Sequence, residues 1–109
     1  MAKGELKIAT CQFAVSSSIK RNALQIKKFM LKASKAKADI VHFSECALSG
    51  YAGADWSSFE NFKWQLLKQQ TEEIMALAAK LSIWVILGSM HPLTLPNKPH
   101  NCQQIFRWL

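Results

Sequence analysis

Three short apolar segments alternate with two longer segments of helical periodicity, and this order limits the folds open to the 109-residue chain. Residues Leu6–Phe13, Ile40–Ser44 and Ile83–Leu87 include β-branched residues and have the lengths of strands. Between the first two, apolar residues recur every three or four positions, which is typical of an amphipathic helix. A second helical region precedes the third strand. The β-α-β-α-β order predicts an α/β fold with parallel neighbouring strands and right-handed crossovers.

Polar residues mark the expected helix boundaries. Ser16–Ser18 can cap a first helix that begins near Ile19. Ser57–Glu60 has the spacing of a capping box, so the second helical region is expected to begin there. A break can interrupt this region at Gln69–Thr71. Its last part, Glu72–Leu81, then starts with two acidic residues, which the helix dipole favours.

The residues that follow the second and third strands are candidates for a site. In parallel α/β sheets, ligands bind beyond the carboxyl ends of the strands. Glu45 directly follows the second strand, and Gly88 is expected to end the third, with Ser89 and His91 in the loop beyond it. An unpaired carboxylate is costly to bury. Glu45 therefore either has a partner or takes part in chemistry.

Composition limits the class of protein. Hydrophobic residues make up 50% of the chain, which argues against a disordered segment. No apolar run approaches the ~18 residues that can span a bilayer. Met1–Glu5 leads straight into the first strand without the apolar core of a signal peptide. We expect a cytoplasmic protein with no membrane partner.

The cysteines do not form a recognisable framework. Cys11, Cys46 and Cys102 are an odd number with no CxxC spacing, which argues against a disulfide framework and a structural zinc site. None of the three histidines falls at metal-ligand spacing with them. We therefore expect no metal and no cofactor.

The net charge of +7 is concentrated in one segment, since seven of the fourteen lysines and arginines lie between Lys20 and Lys37. That segment also has helical apolar spacing, so the simplest interpretation is an amphipathic helix with a lysine-rich side facing solvent. A nucleic-acid surface is the alternative. No RNA-binding aromatic motif, zinc finger or phosphate-binding glycine loop accompanies it, so we expect no specific nucleic-acid binding.

Several stretches between Leu6 and Asn101 form a pattern: LKIATCQF, a helix with Asn22, ADIVHFSECALSGY, LAAKLSIWVILGS and NKPHN. Together they resemble the amino-terminal part of the nitrilase superfamily, the carbon–nitrogen hydrolases. The most specific element is the short strand that ends in Glu45, although Ser44 stands where family members often have proline. The resemblance implies part of an α-β-β-α sandwich, with two facing sheets and helices outside. It also implies subunits that pair as dimers or larger assemblies, hence a homo-oligomer.

The resemblance further implies a Glu-Lys-Cys mechanism on small amides, carbamoyl compounds or nitriles. The cysteine attacks carbon and forms a thioester. The glutamate acts as general base, and the lysine stabilises the oxyanion. Glu45 matches the general base, and a semi-buried carboxylate there would suit proton transfer near neutrality. A glutamate paired with a lysine for packing alone is the alternative.

The matching lysine and cysteine would lie beyond Leu109. Residues 1–109 are therefore expected to be the amino-terminal part of a longer hydrolase domain, truncated at the carboxyl end by shortening or a frameshift, and inactive alone. Cys11 is expected to be a packing residue. Cys46 is not expected to be the nucleophile, because successive strand residues face opposite sides and it would point away from Glu45.

Tyr51, Trp56 and His91 are candidates for lining the substrate pocket, because they follow strand ends or lie in the adjoining loops. Packing within those loops is the alternative. The competing function is a non-catalytic interaction module, whose open sheet pairs with another chain and whose basic helix weakly binds polyanions. The expected partner of the complete protein is a small amide or nitrile substrate.

Overall fold

The computed structural model describes residues 4–51, 55, 60–91 and 100–106. These residues form a sheet of four strands in the order β1-β2-β3-β4, with two helices. The first three strands are parallel, and β4 runs antiparallel to β3. The α/β class is therefore confirmed, with one strand more than the β-α-β-α-β order. The elements are β1 (Ile8–Cys11), α1 (Ile19–Lys35), β2 (Ile40–Phe43), α2 (Trp64–Leu81), β3 (Trp84–His91) and β4 (His100–Phe106).

Helix α1 forms as its sequence predicts. Ser18 is the N-cap, and its side chain accepts a hydrogen bond from the backbone N–H of Arg21 at 3.2 Å. Apolar residues such as Ile26 and Met30 are buried, whereas most of the lysines are exposed. The basic residues thus form the outer surface of this helix, as expected for an amphipathic helix over a sheet.

Helix α2 begins later than predicted, at Trp64 with Lys63 as its N-cap. The predicted start at Ser57–Glu60 is wrong: Glu60 lies in a turn before the helix, and residues 57–59 lie outside the described part of the chain. A capping box is a local signal, and the packing of Leu67 and residues further along fixes the helix instead.

The predicted break at Gln69–Thr71 is also wrong, since α2 is continuous. The hydroxyl of Thr71 donates to the backbone oxygen of Leu67 at 2.8 Å, inside an unbroken helix. Glu72 and Glu73 therefore lie in the middle of the helix and not in its first turn. Glu73 forms an ion pair with Lys27 of α1 at 2.6 Å. Neither helix in the described part of the chain combines the length and hydropathy needed to cross a bilayer.

Strands β1 and β2 are shorter than predicted. Strand β1 covers Ile8–Cys11 rather than Leu6–Phe13, and β2 stops at Phe43, one residue before Ser44. The two strands pair over four positions, from Ile8 with Ile40 to Cys11 with Phe43. The length of β2 therefore limits that of β1, because a strand continues only where it has a partner.

Strand β3 is longer than predicted and passes through Gly88 instead of ending there. A Cβ at Gly88 would lie 2.3 Å from the backbone oxygen of Ser44 and 2.6 Å from the backbone nitrogen of Cys46. The glycine is therefore needed for close approach to the chain after β2 and does not mark a turn. Ser89 and His91 are expected in a loop but belong to β3. Strand β4 pairs antiparallel with this part of β3.

Both helices pack on one face of the sheet. Val41, Phe43 and Leu87 point to that face and form the core with α1 and α2. The opposite face carries two apolar rows: Ile8, Ile40 and Trp84 are neighbours across β1, β2 and β3, and Ile86 pairs with Ile105. Exposed fractions on this open face reach 54% for Ile8, 40% for Trp84 and 63% for Ile105.

Candidate functional site

Glu45 lies in a turn at the carboxyl end of β2. The backbone N–H of Ala47 donates to the oxygen of Ser44 at 3.2 Å, and that of Gly50 donates to the oxygen of Cys46 at 2.9 Å. Cys46 and Gly50 both have positive φ, at 54° and 82°. The chain therefore reverses immediately after the strand and presents Glu45 at the sheet edge where parallel α/β folds bind ligands.

The backbone of this turn is anchored to β3. Cys46, Ala47 and Leu48 are each at most 1% exposed, and the N–H of Leu48 donates to the oxygen of Gly88 at 3.1 Å. The close approach permitted by Gly88 brings the two segments into direct contact. Glu45 is thus an exposed side chain on a buried backbone.

The buried side chain of Asn22, in α1, joins this turn to the loop after β1. Its Nδ2 donates to the backbone oxygens of Ser16 at 2.8 Å and Leu48 at 3.0 Å. Its Oδ1 accepts from the backbone N–H of Ser16 at 2.9 Å and from the hydroxyl of Ser16 at 3.3 Å. One amide thereby uses both donors and its acceptor to hold two loops at the same end of the sheet.

The expectation that Glu45 is semi-buried is wrong, since its side chain is exposed. Its Oε1 accepts a hydrogen bond from Nδ2 of Asn101 in β4. Asn101 pairs with Met90, and alternation along β4 places it on the same open face as Ile105. The carboxylate therefore lies at the edge of the face that the helices do not cover. Among the described residues, the side-chain partner of Glu45 is therefore an amide and not a lysine.

The three cysteines have the properties of packing residues. Burial raises the pKa of the Cys46 thiol above its usual value and has the same effect on Cys11 and Cys102. The sulfur of Cys46 lies 3.8 Å from that of Met90. A thiol with a raised pKa is a poor nucleophile. Among the described residues, no three side chains of His, Cys, Asp or Glu are grouped so that they could hold a metal ion.

The structure describes two of the three predicted pocket residues, Tyr51 and His91. Tyr51 is exposed, and its backbone N–H donates to the carboxylate of Asp55 at 2.7 Å. His91 is the last residue of β3 and alternates away from Met90, so it faces the side opposite Asn101. There it lines a pocket of about 380 Å³ with residues of α2. Trp56 lies outside the described residues.

Sequence reasoning did not identify the two asparagines as site residues. Asn22 and Asn101 both lie in the stretches that resemble the family, but nothing in their local sequence shows what they contact. The contact between Asn101 and Glu45 depends on the antiparallel return of β4, and their positions are 56 residues apart. The one available signal for Asn22 was that it is a polar residue on the apolar side of the predicted first helix, where a buried amide needs hydrogen-bond partners.

Comparison with known proteins identifies the family. The model of the carbon–nitrogen hydrolase family matches residues 7–107. The solved NitN amidase from Nesterenkonia sp. AN1 is similar in fold, with a TM-score of 0.77 and 16% identity over 93% of this chain and 39% of that chain. The NitFhit protein of C. elegans gives a TM-score of 0.59 and 27% identity over 81% of this chain and 21% of that one.

A double mutant of the Nesterenkonia amidase, in complex with acrylamide, gives a TM-score of 0.78 and 15% identity over 96% of this chain and 40% of that chain. The chain thus spans about two fifths of the length of these amidases. A search of curated proteins finds no match. The resemblance seen in the sequence is confirmed by the match to the family model, which covers all but the two ends of the chain. The chain belongs to the carbon–nitrogen hydrolase family.

Proposed function

We propose that this chain contributes the general base, Glu45, to a hydrolase that cleaves the carbon–nitrogen bond of a small amide, carbamoyl compound or nitrile. The observation that carries the proposal is the placement of Glu45. In a chain of this family, an exposed carboxylate stands on a buried turn at the carboxyl end of β2. A base that must reach substrate and water needs an accessible side chain and a fixed backbone, and Glu45 has both.

The proposed reaction of an amide has two stages, with the cysteine and lysine supplied by the rest of the domain. The thiol transfers its proton to Glu45 as its sulfur attacks the carbonyl carbon, and the lysine stabilises the oxyanion. Collapse of this intermediate breaks the C–N bond, and the leaving amine takes the proton from Glu45. Water then attacks the thioester and gives a proton to Glu45, which returns it to the departing thiolate as the carboxylic acid forms.

Short-chain amides are the substrate class that we infer within the family range. One structure of the similar Nesterenkonia amidase holds butyramide in a form whose active-site cysteine is replaced. Another holds acrylamide in a form where both this cysteine and a glutamate are replaced. A glutamate and a cysteine are two of the three residues that the proposed reaction requires, the third being the lysine.

The test uses a complete hydrolase, in which residues 1–109 are joined to the remaining part of the family domain. Ammonia release from butyramide is measured for the wild type, Glu45→Gln and the control Glu5→Gln. Glutamine keeps the shape of the side chain but cannot accept a proton, so the first variant should lose ~10²–10⁴-fold in rate. Glu5 is also exposed, and its variant should retain full activity. Near-normal turnover by a folded Glu45→Gln enzyme would remove Glu45 from the mechanism.

The open sheet face favours a second candidate function, a module that pairs with another chain. Ile8, Trp84 and Ile105 expose apolar surface on one side of the sheet, and such patches are typical of interaction sites. In this alternative the chain associates through that face, and the basic residues of α1 remain on the outside. Association measurements on face variants, described below, test it independently of catalysis.

A further inference from the structure

We infer that Asn101 is a positioning residue for Glu45, whose side-chain amide holds one carboxylate oxygen and leaves the other directed at the reacting groups. The inference rests on the proposed role of Glu45 as general base. The observation is the hydrogen bond from Nδ2 of Asn101 to Oε1 of Glu45. Both side chains belong to exposed residues, and within the described part of the chain this amide is the hydrogen-bond partner of the carboxylate.

Asn101 can act in this way because a strand, not a loop, sets its position. It pairs with Met90 near the end of a seven-residue ladder between β3 and β4. The side chain of Met90 in turn contacts Cys46, the neighbour of Glu45, with 3.8 Å between the sulfurs. The adjacent turn residues Glu45 and Cys46 therefore contact Asn101 and Met90, which are paired with each other in the sheet. This arrangement fixes the direction of the hydrogen bond relative to the sheet edge.

The chemistry of an amide suits this position. A glutamate side chain has three rotatable bonds, and an exposed one samples many rotamers unless a partner restrains it. A lysine or arginine at position 101 would restrain it too, but a cation strongly favours the ionised form of a carboxylate and so weakens it as a base. The amide is neutral, donates a hydrogen bond and does not compete for the proton. Asn101 thus orients the carboxylate without placing a full positive charge beside it.

The test compares Asn101→Ala with Gln103→Ala in the complete hydrolase. Gln103 is exposed on the same face of β4, two residues along the strand, and provides the matched control. Losing a hydrogen bond to a charged group should lower kcat about 10- to 100-fold. The KM for butyramide should change little, because substrate binding does not depend on this contact. The control variant should change kcat less than about twofold, as for a surface substitution.

A double-mutant cycle separates positioning from a structural role. In the Glu45→Gln background, Asn101→Ala should cause little further loss, because residues that act as a unit are not additive. A merely structural Asn101 would lower activity equally in both backgrounds and would reduce the melting temperature. Equal losses, or an unchanged kcat in the single variant, would overturn the inference.

A second measurement does not depend on turnover. The Nδ2 protons of Asn101 are observed by NMR in the wild type and in Glu45→Ala, with the side-chain amide of Gln103 as the internal reference. Removal of the carboxylate should shift the Asn101 resonances and leave those of Gln103 in place; unshifted resonances mean that the contact is absent and overturn the inference. A shift combined with an active Glu45→Gln enzyme would instead overturn the proposed function and, with it, any role of Asn101 in orienting a base.

Discussion

The side-chain amide of Asn22 donates a hydrogen bond of 3.0 Å to the backbone oxygen of Leu48, 26 residues further along the chain. Through this contact, α1 holds the turn that carries Glu45. The same amide is bonded to Ser16, so the loop after β1 and the turn after β2 share one buried anchor. The geometry at the sheet edge therefore depends on a residue in the first turn of the first helix.

Asn22→Asp is expected to lower the free energy of unfolding and to loosen the turn. The substitution keeps the shape but removes both N–H donors, and it leaves the backbone oxygens of Ser16 and Leu48 unpaired. Each unsatisfied buried group costs ~1–3 kcal/mol. Ile26→Val, in the same helix, should cost ~0.5–1.5 kcal/mol and is the control. Hydrogen exchange should rise in residues 44–50 of the first variant more than in the control; equal exchange would contradict the anchor role.

Gly88→Ala is expected to lower the stability of the chain, whereas Ser89→Ala is not. The added Cβ at position 88 would lie 2.3 Å from the oxygen of Ser44, so the turn or the strand must shift. Overpacking of this kind typically costs ~1–3 kcal/mol. The buried hydroxyl of Ser89 has no hydrogen-bond partner in the described structure, and its removal should be neutral or stabilising. Chemical denaturation of both variants measures this; a tolerated alanine at 88 would argue against the close approach.

The ion pair between Lys27 and Glu73 should contribute a pH-dependent part of stability. The hydrogen bond and charge of Lys27 hold the pKa of the Glu73 carboxyl below its usual value. A lowered folded-state pKa means that this contribution is present above the unfolded-state value and is lost as the pH falls through the folded-state value. Between pH 7 and about pH 3, melting temperature should therefore fall less for Glu73→Gln than for the wild type. Glu72→Gln, at the neighbouring position, should behave like the wild type.

The 109-residue chain alone should not hydrolyse amides, carbamoyl amino acids or nitriles. Burial raises the pKa of each of its three thiols, and Cys46 contacts Met90 rather than the Glu45 carboxylate. Product release from each substrate class is measured with purified chain and with Cys46→Ala. Turnover that disappears in the variant would identify Cys46 as a nucleophile and contradict the assignment of that role to another part of the domain.

The open face should make the isolated chain self-associate. Ile105→Lys places a charge on that face, where the wild-type residue is 63% exposed, and should reduce association. Leu24→Lys adds the same charge to the outer surface of α1, where Leu24 is 68% exposed, and should have no such effect. Sedimentation velocity of the three proteins at equal concentration measures this. A monomeric wild type would show that the face is not an association surface.

The sequence predicts the parts of the fold that depend on local chemistry. The Ser18 cap, the buried side of α1 and the position of Glu45 after β2 all follow from neighbouring residues. The start of α2 is missed because Glu60, the last residue of the capping-box pattern, lies in a turn, whereas tertiary packing begins the helix at Trp64. The length of β3 is missed because the sequence does not distinguish a glycine that forms a turn from a glycine that permits close packing within a strand.

Long-range pairing accounts for the missed parts of the site. The exposure of Glu45 depends on what covers the sheet, and its bond to Asn101 depends on the direction in which β4 returns. Neither is encoded within a window of a few residues. For the same reason the sequence predicts His91 near Glu45, whereas in the structure His91 ends β3 and faces the other side of the sheet.

The mixed directions of the strands also bear on folding rates. Strands β3 and β4 pair antiparallel across a connection of residues 92–99, whereas the parallel pairing of β1 with β2 must span the whole of α1. Loop-closure entropy delays pairings of long sequence separation. Asn101 therefore belongs to a hairpin that can form early, and Glu45 to a crossover that forms slowly. Their hydrogen bond closes only when both are complete, so it slows unfolding of the native chain and does little to speed its formation.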